Sequence, residues 1–402
     1  MRGYIYNKRK EDKRHTMPSK EELTLKGLQE FLNSHNIKIR NNIVNHTVTI
    51  EGDLSDDKIV RDKLTYFYLD CYDGIKEEGI YLCNRQLVRD YLNRLLNAQS
   101  AIYNPITDLL NSVELDSSKD YLAELYSIMG IEKTDELSKV LIHKWLLQCI
   151  ALSTNTLENA IGADGMLVLQ GGQGVGKTSL IRKLGVSSEL CKLDCSISEF
   201  DKDTKINALT SWICELGEFE KTVKGTSAEM LKVLVTTAID YYRVAYGQRT
   251  EAYPRITNLV GTCNHERFLT DDTGSRRYWV VPIDKIDLAR LDKFDVLHLW
   301  KQIDNEYKSL DTNCFRLTSA EQKALALRNI QHEKIEAEQE IADLIAEAQM
   351  LNKKFGWVTS TSFKTANKSI SKYDSRTIGK ALKKLEIEEK RTGKGRFYYL
   401  PV

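Results

Sequence analysis

The sequence contains no apolar run that approaches the roughly eighteen residues of a membrane-spanning helix. Its basic amino terminus is not followed by an apolar segment, so no secretory signal is predicted. The eight cysteines include no C-x-x-C pair, and Cys191 and Cys195 have no histidine nearby, which argues against a zinc site and favours reduced thiols. These absences predict a cytoplasmic protein with no membrane partner.

The chain also lacks net charge, because 58 lysines and arginines are balanced by 57 aspartates and glutamates. Binding to nucleic acid must therefore come from local charge asymmetry. With 402 residues the chain is longer than one hydrophobic core usually supports. We predict a flexible basic arm at 1–18, a mainly helical accessory domain at 19–140, a nucleotide-binding core at 141–315, a charged helical connector at 316–351 and a basic domain at 352–402.

The most informative segment spans residues 166–182, where a short apolar run meets a glycine-rich turn and then a helical pattern. It fits the phosphate-loop pattern G-x-x-x-x-G-K-[ST], in which glycines let backbone amides close around phosphate oxygens at a helix amino terminus. We predict that Lys177 reaches the β- and γ-phosphates of ATP and that the Thr178 hydroxyl binds Mg²⁺. An ordinary glycine-rich turn is the alternative. The predicted nucleotide-binding residues are Gly171, Gly172, Gln173, Gly174, Val175, Gly176, Lys177, Thr178 and Ser179.

A nucleotide hydrolase also needs carboxylates that hold the metal's water shell and activate the attacking water. An apolar segment ends in Glu215, and Glu218 follows three residues later. In a parallel sheet both acids lie beside the phosphate loop, and their spacing does not decide which one serves the metal. An acidic turn after a strand is the alternative. A further β-rich segment ends in Asn264, whose amide can orient the water or contact the γ-phosphate.

Two adjacent arginines, Arg276 and Arg277, follow a Thr-Gly-Ser turn and precede another predicted strand. Exposed arginines beside a turn can donate planar hydrogen bonds to a phosphoryl group across a subunit boundary. The alternative is surface ion pairing with Asp271 and Asp272.

These motifs together resemble the virulence-associated protein E family. The resemblance is carried by the loop at 171–178, by Glu215-Leu-Gly-Glu218, by Gly261-Thr-Cys-Asn264 and by Gly274-Ser-Arg-Arg277, with similar blocks at Tyr103-Asn-Pro-Ile106 and Lys144-Trp145. The family looks like a branch of the superfamily 3 helicases, which are AAA+ ATPases of phages and phage-related mobile islands. The resemblance implies an AAA+ core and a homo-oligomeric ring, expected to be a hexamer, that binds ATP and Mg²⁺ between subunits and moves along or opens DNA.

The resemblance also assigns roles to single residues. It implies that Asn264 is the sensor and that Arg276 or Arg277 is the finger that reaches the neighbouring subunit's nucleotide. The acidic pair common at the second strand of other ATPases is here split into Glu215 and Glu218, which leaves their roles open.

A predicted hairpin around residues 240–255 matches the place of a channel-facing hairpin in superfamily 3 rings. That placement makes Lys221, Lys224 and Arg249 candidates for contact with the backbone of a single DNA strand. Ordinary solvated charge is the alternative, and Arg243 and Arg255 are instead candidates for the nucleotide interface.

The last segment, residues 352–402, carries thirteen lysines and arginines against four acids. An amphipathic helix at 375–385, capped by Ser375, and a basic hairpin at 389–400 together look like a winged helix. The helix would enter a major groove of duplex DNA, such as an origin, and the wing would touch the backbone or minor groove. A winged fold can equally bind protein. The predicted DNA contacts are Arg376, Lys380, Lys383, Lys384, Lys390, Arg391, Lys394 and Arg396.

The sequence therefore predicts an α/β protein: a P-loop AAA+ core with a parallel sheet, a mainly α accessory domain before it and a winged helix after it. The predicted function is an ATP-dependent replicative DNA helicase or replication initiator of a mobile genetic element. The alternatives are a loader or remodeller without processive unwinding, a small-molecule P-loop kinase and a DNA-binding regulator with a degenerate nucleotide site. Whether the first third recruits a primase stays open.

Overall fold

The computed structural model describes residues 22–52, 63–80, 82–197, 202–222, 226–243, 250–269, 275–333, 337–393 and 395–402. The chain divides into two compact units, one that extends to Pro105 and one from Ile106 to Val402. Among the described residues, no helix has the length and apolar character needed to span a bilayer.

The first unit combines three helices with a small sheet. Its elements are α1 (Leu25–Ser34), β1 (Lys38–Asn42), β2 (Val48–Glu51), α2 (Lys63–Glu77), α3 (Arg85–Leu96) and β3 (Ile102–Tyr103). Strand β1 lies in the centre, antiparallel to β2 and parallel to β3. Apolar residues at helical spacing close a core that includes Phe31, Cys71 and Leu92.

The second unit is built around a five-stranded sheet. Its elements up to residue 309 are α4 (Pro105–Asn111), α5 (Tyr121–Ile128), α6 (Glu136–Ser153), β4 (Met166–Gln170), α7 (Lys177–Leu184), β5 (Cys191–Cys195), α8 (Lys202–Leu209), β6 (Ile213–Leu216), α9 (Phe219–Thr222), α10 (Thr226–Thr236), β7 (Ile239–Tyr242), β8 (Glu251–Pro254), β9 (Asn258–Cys263), β10 (Tyr278–Pro282), α11 (Leu288–Lys293) and α12 (Val296–Ser309). The strand order is β10-β4-β9-β6-β5, and all neighbours are parallel. The predicted α/β class with a parallel sheet is confirmed.

The buried strands explain why the sheet forms. Strands β4, β6, β9 and β10 are buried along nearly their whole lengths, as in parallel sheets that are covered on both faces. Helix α6 packs on this sheet through paired polar groups: Trp145 Nε1 donates to the Leu259 carbonyl at 3.2 Å, and Gln148 Nε2 donates to the Gly165 carbonyl at 2.9 Å. An unpaired buried donor would cost about 1–3 kcal/mol, so these bonds fix the helix on the strands.

The predicted hairpin before β9 is present, because β7 and β8 pair antiparallel, and residues 244–249 between them lie outside the described residues. Arg255, just after β8, is 2% exposed. Its Nη2 donates to Asp240 Oδ1 at 2.7 Å, its Nε donates to Asp240 Oδ2, and its Nη1 donates to the Leu234 carbonyl at 2.8 Å. The expectation that Arg255 lines the nucleotide interface is wrong, because its guanidinium is buried and bonded to Asp240 and the Leu234 carbonyl.

Arg255→Ala is expected to lower the free energy of unfolding by about 3–5 kcal/mol, because it leaves the Asp240 carboxylate buried without its partner. Urea unfolding followed by circular dichroism measures the change. Arg243→Ala is the matched control: Arg243 is exposed two residues after Tyr241, and its loss is expected to stay within about 0.5 kcal/mol. Equal effects of the two substitutions would contradict a structural role for the Arg255 pair.

The carboxyl-terminal part of the second unit holds a smaller antiparallel sheet. Its elements are α13 (Ser319–Gln331), α14 (Ala337–Met350), β11 (Phe355–Val358), α15 (Ser360–Ala366), α16 (Ser375–Lys384), β12 (Glu389–Thr392) and β13 (Gly395–Pro401), with the strand order β11-β13-β12. Ile341 of α14 shares one hydrophobic core with Phe363, Ile378 and Leu400. This core therefore includes a helix that lies before the boundary predicted at residue 352.

The amino-terminal cap of α16 differs from the predicted one. Asp374, not Ser375, accepts the hydrogen bond from the Thr377 amide, at 2.6 Å. Aspartate and serine are equally good caps, so the sequence alone could not choose between adjacent positions.

Candidate functional site

The glycine-rich loop joins the end of β4 to the start of α7. Gly174 and Gly176 have φ angles of 82° and 103°, which glycine adopts without the penalty of a side chain. Gly176 is the amino-terminal cap of α7, and the Gly171 amide donates to the Cys263 carbonyl of β9 at 3.0 Å. The loop thus rests on the sheet and ends at the positive pole of a helix dipole, where anions bind favourably.

The side chain of Lys177 folds back over this loop. Its Nζ donates to the carbonyls of Gly171 at 2.6 Å and Gly172 at 2.8 Å, and to Asn264 Oδ1 at 3.0 Å. Two predicted site residues that lie 87 positions apart are therefore in direct contact. The contact arises because β4 and β9 are neighbouring parallel strands, so their carboxyl ends meet.

Opposing effects act on the Lys177 ammonium. Burial lowers the pKa of Lys177 below its usual value, and the nearby carboxylates of Glu220 and Glu215 offset only part of this shift. Burial also raises the pKa of Cys263 to about 12, with Glu220 adding to the shift, so this thiol is neutral near pH 7. The lysine is the cation in a partly dehydrated pocket, which strengthens its attraction for an added anion.

Glu215 lies inside β6 and is 1% exposed. Its Oε1 accepts hydrogen bonds from Thr178 Oγ1 at 2.7 Å and from Thr262 Oγ1 at 3.0 Å. Within the described part of the chain, the buried Glu215 Oε2 has no hydrogen-bond partner. A buried unpaired carboxylate oxygen is costly, and beside a threonine hydroxyl it offers the hard oxygen ligands that Mg²⁺ prefers. The residues present therefore fit a Mg²⁺ ion.

Glu218 lies two residues after the end of β6, is exposed and has a φ angle of 47°. Unlike Glu215, it is not built into the sheet. It lines a cleft of about 470 Å³ together with Lys177, Thr178, Glu215 and Asn264, so the structure brings these five predicted residues together.

The remaining predicted loop residues fall into two groups. Gln173, Gly174, Gly176 and Ser179 also line the cleft. Gly171 and Gly172 supply the carbonyls that hold Lys177, and the Val175 carbonyl accepts from the Ile286 amide at 3.0 Å. All nine predicted loop residues are therefore part of the cleft or its support.

Three polar residues around this cleft were not predicted from the sequence. Asp194 and Thr262 line the cleft from the ends of β5 and β9. Glu220 follows in α9, and its Oε2 is buried without a hydrogen-bond partner among the described residues. Their positions at the carboxyl ends of neighbouring strands are a signal, but one that can be used only when the strand order is known.

The arginine pair lies at the other edge of the sheet. Arg276 and Arg277 immediately precede β10, whose first residue Tyr278 is aligned with Met166, the first residue of β4. The phosphate loop follows the opposite end of β4, after five residues or about 16 Å of strand. The pair therefore cannot reach the phosphate loop of its own chain.

The two arginines line a second cavity, of about 380 Å³, that also contains Arg316. Arg316 Nη1 lies 3.6 Å from Asp164 Oδ1, and Arg277 Nε is buried without a hydrogen-bond partner among the described residues. Arg316 belongs to no sequence motif, and only the fold places it beside the pair. The predicted alternative partners, Asp271 and Asp272, lie outside the described residues.

Two of the three predicted contacts to single-stranded DNA, Lys224 and Arg249, lie outside the described residues, as does Lys394, one of the predicted contacts to duplex DNA. Lys221 lies in α9. Of the DNA contacts predicted in the carboxyl-terminal part, five are exposed: Arg376, Lys383, Lys390, Arg391 and Arg396.

Two predicted contacts on α16 face acids of their own chain. Lys380 Nζ is 3.6 Å from Glu333 Oε1, and Lys384 Nζ donates to the Glu333 carbonyl and lies 4.0 Å from Glu338 Oε2. Burial lowers the pKa of Lys384. These two lysines therefore point toward the segment that precedes and begins α14.

A family model, the virulence-associated protein E-like domain, matches residues 110–334, which is more than half of the chain. The chain belongs to this family. In this virulence-associated protein E-like protein, the matched range contains both the phosphate-loop cleft and the arginine cavity, whereas strands β11 to β13 lie beyond it. The predicted family resemblance is confirmed.

The virulence-associated protein E-like chain was also compared with curated proteins and with solved structures. A search of curated proteins gives no match. Among solved structures, the apo structure of the NrS-1 C terminal region is similar with 13% identity and a TM-score of 0.44, covering 95% of this chain and 100% of that chain. Its A form apo structure is similar with 13% identity and a TM-score of 0.45, covering 93% and 98%.

Proposed function

We propose that this chain is an ATP-dependent DNA helicase or replication initiator of a mobile genetic element, with an AAA+ core that works as a homo-oligomeric ring. The observation that carries the proposal is the contact network in one cleft, in which Lys177 bonds Asn264 and Thr178 bonds Glu215. A cation, an amide, a hydroxyl and a carboxylate converge there, as phosphoryl transfer from a nucleoside triphosphate requires.

The sheet topology supports an AAA+ core. Numbered along the chain, the strand order β10-β4-β9-β6-β5 becomes 5-1-4-3-2, with the phosphate loop after the first strand, Glu215 on the third and Asn264 after the fourth. The resemblance to superfamily 3 helicases implies an AAA+ core with a parallel sheet, and the order of these motifs along the strands agrees with it. A small-molecule kinase gains no comparable support.

We infer different roles for the two acids from their contacts. Glu215 is fixed by Thr178 and Thr262, and no described residue bonds its Oε2, so we assign it to the metal side. Bound Mg²⁺ would neutralise charge on the phosphate oxygens. Glu218, exposed on the rim of the cleft, is assigned to orienting or deprotonating the attacking water. Lys177 would hold the β- and γ-phosphates, and Asn264 would keep the lysine aimed at them.

The arginine cavity supports assembly. Arg276 and Arg277 lie at the amino end of the strands, away from their own chain's phosphate loop, and the buried Arg277 Nε has no hydrogen-bond partner among the residues that the structure describes. A ring in which this cavity faces the next subunit's cleft would bring the arginines to that subunit's γ-phosphate. Hydrolysis would then depend on contact between neighbours.

The proposal is tested by incubating the purified chain with ATP, Mg²⁺ and forked DNA. We expect inorganic phosphate release that single-stranded DNA stimulates, together with displacement of one strand. Glu215→Gln is the matched control, because it removes the carboxylate charge with little change of shape, and it is expected to abolish both.

Other outcomes of the same assay separate the rivals. Phosphate release and DNA binding without displacement would favour a loader or remodeller. A phosphorylated small-molecule product in place of inorganic phosphate would indicate a kinase, and wild-type biological activity of Glu215→Gln would indicate a regulator with a degenerate site.

A further inference from the structure

The carboxyl-terminal sheet has an aromatic face where a polar one is expected. On β13, Tyr398 and Leu400 are buried in the core, so the alternating residues Phe397 and Tyr399 lie on the opposite face. Register pairs Tyr399 with Trp357 of β11. Antiparallel sheets usually present polar side chains on the face turned away from the core, so this row of rings calls for an explanation.

The rings form one connected group with a lysine on top. The centroids of Trp357 and Tyr399 are 5.4 Å apart, and those of Phe355 and Tyr399 are 6.0 Å apart. Lys390 Nζ lies 4.1 Å from the centre of the Trp357 ring. Phe355 also packs against the hydrophobic core, whereas Tyr399 remains 41% exposed. Tyr399 is thus the most exposed ring of the group, and Trp357 beside it is half-buried under Lys390.

The charge around this face is positive. Register pairs Lys390 with Phe397 and so places it on the aromatic face, whereas Glu389 pairs with Tyr398 on the core side. Among the residues of the three strands, all of which are described, Lys390 is the charged residue on the aromatic face. One acid adjoins this face: the exposed Glu388 directly precedes β12, and its carbonyl accepts from the Tyr399 amide at 2.9 Å. Lys353 and Lys354 are exposed just before β11, and residues 352–402 carry thirteen bases against four acids.

We propose that this face binds single-stranded nucleic acid, with bases stacking on Tyr399 and Trp357 and with Lys390 and the flanking lysines contacting the phosphate backbone. Aromatic rings interleaved with cations bind strands whose base faces are free, and such stacking tolerates any base. A duplex hides its base faces inside the stack, so it lacks the surface that these rings can contact. A protein partner would not need the excess of positive charge.

This mode differs from a recognition helix in a major groove. On α16, Lys380 and Lys384 are turned toward Glu333 and Glu338, which leaves that side of the helix less able to contact DNA. The sheet face lies outside the nucleotide cleft and does not depend on hydrolysis. Its occupancy can therefore be measured even if the proposed ATPase activity is absent.

The test uses the full chain without nucleotide and follows fluorescence anisotropy of two labelled strands of equal length, one of deoxythymidine and one of abasic deoxyribose phosphate. The strands carry the same phosphates, but only the first can stack. We expect the wild type to bind the deoxythymidine strand more tightly. Tyr399→Ala should weaken that binding about tenfold, Tyr399→Phe should retain it, and all three proteins should bind the abasic strand alike.

Leu327→Ala is the matched control, because it removes a 69% exposed apolar side chain from α13, away from the sheet, and should leave binding unchanged. The proposal is overturned if the wild type binds the two strands with equal affinity or prefers a duplex. It is also overturned if Tyr399→Ala weakens binding to both strands by the same factor. If Tyr399→Ala changes only the sedimentation of the protein, a second copy of the chain covers this face and the proposal fails. The comparison of strands on the wild type requires no variant to fold.

Discussion

Lys177→Ala is expected to lower ATP hydrolysis by about 10³-fold or more and to weaken nucleotide binding. The substitution removes the only side chain of the phosphate loop that carries a positive charge, and preorganised charges at a transferring phosphoryl group contribute several kcal/mol. It also frees Asn264 Oδ1 and the carbonyls of Gly171 and Gly172. Phosphate release measures the rate, and titration with a fluorescent ATP analogue measures the binding.

The control for this variant is Arg182→Ala. Arg182 lies on the same helix α7, is exposed, and does not line the cleft. It should leave phosphate release within a factor of about two, since exposed substitutions shift stability by no more than about 0.5 kcal/mol. Normal hydrolysis by Lys177→Ala would rule out the cleft as the nucleotide site.

Arg277→Ala should lower hydrolysis by about 10³-fold while nucleotide binding stays close to that of the wild type. An arginine supplied by a neighbouring subunit acts on the transition state, and its removal typically costs 10³–10⁵-fold in rate. The Arg277 Nε is buried and has no hydrogen-bond partner within the described ranges, which leaves it able to bond a phosphoryl oxygen of the neighbouring subunit's nucleotide. Arg277→Ala is thus expected to lower the rate of hydrolysis alone, whereas Lys177→Ala is expected to lower both the rate and the affinity for nucleotide.

Mixing the two inactive proteins tests whether the arginine acts between subunits. Arg277→Ala keeps its phosphate loop, and Lys177→Ala keeps its arginine, so an interface between them can hold one complete site. In a random equimolar ring about one quarter of the sites are complete, and about that share of wild-type activity should return. Arg316→Ala, paired with Lys177→Ala in the same way, shows whether the third arginine of the cavity shares the role.

The mixture also has a clear contrary outcome. If the mixture hydrolyses ATP no faster than the two proteins do separately, the arginine cavity takes no part in catalysis. The same conclusion follows if Arg277→Ala is fully active while it sediments as a monomer. The phosphate-loop cleft would then still be tested by Lys177→Ala alone.

The sequence by itself determined the local chemistry. The glycine spacing predicted the turn between β4 and α7, because positive φ angles and a following helix are consequences of local sterics. Apolar runs before the phosphate loop, Glu215 and Asn264 predicted single strands. The motifs from Gly171 to Arg277 carried the family resemblance, which the family model confirms and which implied a core with a parallel sheet.

Only the tertiary structure decided which residues from distant parts of the chain are in contact. Strand order brings Asn264 into contact with Lys177, and Thr262 into contact with Glu215. The register of β10 against β4 places Arg276 and Arg277 at the amino end of these strands, beside Arg316. It also buries Arg255 against Asp240. Local propensity carries no information about such pairings, because they depend on which buried faces pack together over many residues of separation.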